Sequence, residues 1–105
     1  MTIAEFKRRL AVGVKIHTLY HMQSTGLRDT EEQLVYTTKD LGVREVSKVQ
    51  TNSFALATPT SKGLVNSWCT YPTKKKFHSA SDKSVVIFEE ARDGKYIPVL
   101  TYTFV

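Results

Sequence analysis

The chain is poor in sulfur: Cys69 is the only cysteine among 105 residues. A lone thiol excludes an internal disulfide and a cysteine-built zinc site, and it fits a reducing cytoplasm. Long apolar runs are missing as well. No stretch approaches the ~18 residues that suggest a membrane span. The charged start, Met1 to Arg9, has no apolar segment behind it and does not read as a signal peptide. The five glycines are isolated, so no phosphate-cradling loop is present. There is no internal repeat and no linker. These absences leave one domain over residues 1–105, near the commonest domain size.

Catalytic patterns are equally scarce. His17 and His21 are four apart, the zinc spacing on a helix, but their segment alternates like a strand, where four residues span roughly 13 Å. One ion cannot bridge that gap. Cys69 lies between Trp68 and Thr70, where a small buried apolar side chain is the simpler reading than a nucleophile. Glu89 and Glu90 point to opposite faces of a strand and cannot form an acid/base pair. We expect no enzyme, with no catalytic residue, no metal site and no cofactor.

What is present is apolar and basic. A hydrophobic fraction of 41%, with eleven Phe, Trp and Tyr residues, is enough for a core. The net charge of +5 is uneven. Residues 44–84 hold seven basic residues, Arg44, Lys48, Lys62, Lys74, Lys75, Lys76 and Lys83, against Glu45 and Asp82, and so carry the whole excess. Such a field attracts phosphates or an acidic protein face, although solubility alone is served by a charge of this size.

Thr2 and Glu5 have capping-box spacing, Ile3, Phe6 and Leu10 share a helical face, and Gly13 can end the turn, so a helix is expected over 2–11. From 12 onward the chain is β-rich. Val14 to Tyr20 alternates as a half-buried strand, 22–32 reads as an exposed polar loop, and Leu34 to Thr38 is a weak strand before a turn at Lys39 to Gly42. Val43 to Gln50 and Ser53 to Thr58 form a strand pair joined at Thr51-Asn52. Pro59 to Gly63 is a turn, and Leu64 to Tyr71 a strand ending at Pro72. Ser84 to Glu89 is apolar on both faces and reads as well buried. Asp93-Gly94 marks a hairpin, and Lys95 to Val105 is a last strand in which Pro98 implies an edge or a bulge. The fold class is mainly β (α+β): a small antiparallel barrel or bent sheet of six to seven short strands with one N-terminal helix.

The segment Ser67 to His78 joins the only Trp to a triple-lysine run flanked by Tyr71 and Phe77. Cations beside aromatic faces suit a polyanion. The candidate nucleic-acid-binding residues are therefore Arg44, Lys48, Lys62, Tyr71, Lys74, Lys75, Lys76 and Phe77, provided that the strand pair at 43–58 lies beside the basic turn. Binding would be independent of base sequence, because lysines read phosphates. Trp68 is either core or a partly exposed platform, and core is the simpler reading.

Three segments, Val49-Gln50-Thr51-Asn52-Ser53-Phe54-Ala55-Leu56, Ser67-Trp68-Cys69-Thr70-Tyr71-Pro72 and Leu100-Thr101-Tyr102-Thr103-Phe104, together resemble small uncharacterised proteins encoded in bacteriophages and prophages. The resemblance spans about the last two-thirds of the chain and rests on packing motifs. It implies the cytoplasm of an infected bacterium and an SH3-like barrel, and it carries no activity. Two functions follow: an accessory protein binding a nucleic-acid backbone through 44–84, or an interaction module that binds a host or virion protein through the 22–32 segment or a sheet edge. The oligomeric state is open, with pairing of the C-terminal strand across a dimer as one arrangement.

Overall fold

The computed structural model describes all 105 residues. One short helix, α1 (Ile3–Arg9), precedes seven strands: β1 (Lys15–Arg28), β2 (Leu34–Val49), β3 (Ser53–Thr60), β4 (Gly63–Thr70), β5 (Phe77–Ser79), β6 (Ser84–Glu90) and β7 (Tyr96–Phe104). A single 3-10 turn, Lys74–Lys76, links β4 to β5. All strand pairs are antiparallel, in the order β4-β3-β2-β1-β7-β6-β5. The two ends of that order do not meet, so the sheet is bent and open rather than closed into a barrel. No helix is long and apolar enough to cross a membrane.

The helix begins as its sequence dictates. The Thr2 hydroxyl accepts the Glu5 backbone N–H at 3.1 Å, capping the first turn. It ends at Arg9, and Gly13 follows outside it at a φ of 95°. Seven residues cannot hold a helix in water without packing, and Phe6 provides the packing. Its fully buried ring meets Phe54 of β3, Phe77 of β5, and Tyr102 and Phe104 of β7 at centroid distances of 5.8–6.3 Å. Leu10, Ile16, Val46, Leu56, Val85 and Ile87 complete the surrounding core.

The bend lies in β2. Residues Leu34–Glu45 of this strand pair with β1, and Val46–Val49 pair with β3. Val46 sits at the handover: its N–H donates to the Val14 carbonyl and its carbonyl accepts from Gly13 N–H, while its register partner on β3 is Leu56. The register slips between Val46 and Lys48, a bulge that turns the strand.

Several sequence expectations change here. The turn expected at Lys39 to Gly42 is a bulge inside the continuous β2, where the register slips against His17 and Leu19 of β1. Gly42 takes a φ of 75°, and the Asp40 carboxylate accepts its N–H at 2.7 Å and His17 Nε2 at 2.7 Å. The loop expected over 22–32 is instead a β-ribbon. β1 runs on to Arg28 and pairs with Leu34–Thr37, and only the tip at Asp29–Gln33 turns, held by the Asp29 carboxylate accepting the Glu31 and Gln33 N–H groups. Ser24 to Gln33 are exposed, but Met22 and Gln23, inside the expected exposed segment, are half-buried. Slips between Tyr20 and Gln23 and between Ser24 and Arg28 erase any period-two signal, and that is why the sequence hides the ribbon. The ribbon stretches the molecule to 45 × 35 × 22 Å, with a radius of gyration of 14.9 Å, against about 13 Å for a compact chain of this length.

Pro98 occupies a bulge: the β6–β7 register slips between Ile87 and Phe88, and the β1–β7 pairing stops at Leu100. β6 buries only one face fully, Val85 and Ile87, while Val86 and Phe88 are half-buried. β7 lies between β1 and β6 and so has no free edge for a dimer along its paired length.

Two outcomes test this architecture. Phe6→Ala should cost about 3–5 kcal/mol, read from denaturant unfolding, because it empties the centre of the core. The Gly42 N–H, assisted by His17, holds the Asp40 carboxyl below its ordinary value of 3.8. Its contribution to stability is therefore present above that value and fades as the pH falls through the lower folded-state pKa. An acid titration followed at the Gly42 amide should show the bulge loosening only there; a Gly42 signal unchanged after Asp40→Ala would show that the carboxylate does not hold it.

Candidate nucleic-acid interface

The eight residues singled out by sequence do not form one surface. Lys62 lies in the two-residue connection between β3 and β4, and Lys74 follows the other end of β4. Eight strand residues separate them, a span of roughly 25 Å. Arg44 points inward beside its register partner Ile16; it is half-buried and donates to the Thr58 hydroxyl at 3.1 Å. Its Nε is buried without a hydrogen-bond partner. Phe77 packs on Phe6 and belongs to the edge of the core rather than to an exposed stacking platform.

The 3-10 turn divides the lysine triplet. Lys76 folds onto Glu89, with Nζ 2.8 Å from the carboxylate, and that bond raises its pKa. Lys74 and Lys75 are exposed and carry no ion pair. Lys74 also lines a shallow cleft with Ile3 and Ala4 of α1 and with Phe77 and His78.

Tyr71 stands between this turn and the helix. Its ring packs on Phe54 at 5.5 Å, and burial pushes its hydroxyl pKa up. The Lys7 ammonium lies 5.0 Å from the ring centroid, within the range of a cation–π contact. Lys7 is thus a member of the basic surface that the charge tally over 44–84 overlooked. The available signal was its position off the apolar face of the helix. Its neighbour Arg9 is already engaged, 4.3 Å over the Phe104 ring and bonded to the Asp82 carbonyl.

Lys48 takes a separate place. It is in register with Ala55, and Ala55 with Trp68, so these three form a row on the sheet face turned away from Phe54 and α1. Trp68 is therefore not core. It is 49% exposed, and it is Ala55 beside it that is fully buried. The single apolar segment misleads because alternation fixes which residues share a face but not which face is covered.

The two histidines of β1 each bond to neighbouring side chains. His17 bonds Asp40, and His21 bridges the hydroxyls of Thr38 and Thr101 at 3.1 and 2.6 Å. No three His, Cys, Asp or Glu side chains converge as a metal-binding set. Cys69 is half-buried against the core. Burial pushes its thiol pKa up, more than the neighbouring Tyr102 hydroxyl and Arg44 pull it down. A raised pKa leaves little thiolate at neutral pH. Cys69 should accordingly react with a thiol-directed disulfide reagent more slowly in the folded protein than in denaturant, followed by absorbance; equal rates would contradict the burial.

No family model matches the chain, and no curated protein or solved structure matches it either.

Proposed function

We propose that the protein is a non-enzymatic accessory factor that binds a nucleic-acid backbone through the surface where α1 meets the β4–β5 connection. Lys7, Lys74 and Lys75 are its phosphate contacts, and Tyr71 is the aromatic face among them. The observation that carries this reading is the pair Lys74 and Lys75, exposed and unpaired in a 3-10 turn next to a tyrosine already faced by a third cation. Lys48 and Trp68 lie on the opposite sheet face, outside this footprint. Arg44, Lys62, Lys76 and Phe77 are left out of the footprint for the reasons of geometry given above. The resemblance to phage-encoded proteins agrees with such a role in an infected bacterial cytoplasm.

A second reading, binding to a host or virion protein, is favoured by the ribbon. Leu27, Leu34 and Tyr36 are 66%, 46% and 44% exposed there, well away from the core. The two readings differ in salt response, since a phosphate-driven complex weakens steeply with salt and an apolar interface does not.

Labelled single-stranded DNA, duplex DNA and RNA titrated at two salt concentrations test the proposal. Binding should collapse with salt, and each of Lys7→Glu, Lys74→Glu and Lys75→Glu should lower the log–log salt slope on single strands by about 0.7. Lys62→Glu, at the far hairpin end, should change little. Equal loss from Lys62→Glu and Lys74→Glu would mean a diffuse charge effect in place of a site.

A further inference from the structure

The two ends of the sheet are built differently. β5 is the short end: three residues, preceded by the lysine turn. Brevity and nearby lysines are what protect an edge from pairing with another chain. β4 is neither short nor charged along its length, and its one adjacent lysine, Lys62, stands in the turn before it. The strand runs for eight residues, Gly63–Thr70, and pairs with β3 over its whole length without a slip. It contains no proline and no Asp, Glu, Lys, Arg or His. The strands β3 and β7 share that charge-free composition, and both have neighbours on two sides. β4 thus has the sequence of an interior strand at the position of an edge.

The hairpin fixes which of its backbone groups are free. A two-residue connection makes Thr60 and Gly63 the closing pair, and antiparallel pairs alternate from there between bonded and non-bonded. Leu64, Asn66, Trp68 and Thr70 fall in the non-bonded positions, so their N–H and C=O groups point away from β3. The far end agrees in phase: Tyr71 N–H donates to the Asn52 carbonyl at 3.2 Å, as the next bonded position requires. Pro59, which has no N–H, stands opposite Leu64 in a non-bonded position, as it must.

We infer that the β4 edge pairs with β4 of a second copy of this chain, antiparallel about a two-fold axis at Ser67. In that register Leu64 faces Thr70 and Asn66 faces Trp68 of the other copy, and every free backbone group of these residues gains a partner. Leu64, 72% exposed, and Trp68, 49% exposed, share one face and would be covered by their counterparts across the axis. Val65, 47% exposed on the other face, meets Cys69 of the second copy. The absence of charge favours this occupant: a chain of net charge +5 can place this strand against itself without setting like charges opposite one another. The inference does not rest on the nucleic-acid reading. It joins two bent sheets into one and sets the two Lys48–Ala55–Trp68 rows on either side of the axis.

Sedimentation of the full chain over a wide concentration range tests it, with the emission of Trp68, the only tryptophan, as a local readout. The expected result is a concentration-dependent dimer whose Trp68 emission shifts to the red on dilution. Asn66→Pro removes an N–H that faces only the free edge, so the dimer should be lost while circular dichroism stays unchanged. In case that variant fails to fold, Ser67→Cys combined with Cys69→Ser places thiols on the axis in a closely spaced non-bonded pair, and mild oxidation should trap a covalent dimer. Lys62→Cys in the same background should not be trapped. A monomer at every concentration overturns the inference, and so does a dimer that the Ser67→Cys variant does not trap.

Discussion

The structure depends on one ring. Phe6 is the residue through which a seven-residue helix, too short to persist alone, is held, and it touches strands from both sides of the bend. β3 belongs to one side; β5 and β7 belong to the other. A bent sheet with no second sheet against it needs something to fill its hollow, and an aromatic plug delivered on a helix does so. The edge-on contacts to Phe54 and Phe104 and the stacked contact to Tyr102 add direction to what would otherwise be simple burial.

The bend that creates the hollow has a local cause. β2 gives its first part to β1 and its last part to β3, and the bulge at Val46 to Lys48 turns it between the two. The Gly42 bulge, pinned by Asp40, adds twist nearby. The site follows from these features. Curling β3 and β4 over α1 brings Tyr71 under Lys7, residues distant in sequence and on elements with no direct backbone pairing.

Much of this was legible in the residues. Alternation located the strands, Thr2 and Glu5 located the helix start, and Pro98 announced its bulge. The two misread segments of the fold share one origin. Period-two reasoning breaks where bulges insert residues, and for that reason the ribbon at 22–32 read as a loop and Lys39 to Gly42 as a turn. At the candidate site, sequence proximity proved a poor guide to surface. Lys74, Lys75 and Lys76 are consecutive, yet one is neutralised by Glu89. Lys62 lies a strand length away, and Lys7, from the far end of the chain, is next to Tyr71. Trp68 reads as core because a large aromatic usually is buried; nothing in a sequence states which side of a sheet receives the helix.

The position of β7 carries a consequence for how the chain comes into being. It is the last strand in sequence but lies between β1 and β6, and it supplies two of the rings around Phe6. During synthesis α1 emerges well before β7, which carries part of its docking surface. The β3–β4 hairpin can close as it emerges, but the larger part of the sheet has a gap until β7 follows. Closing the sheet therefore requires Ile16–Tyr20 to pair with Leu100–Phe104, a non-local contact of the kind that slows folding, and Phe6 lacks part of its shelter until that pairing forms.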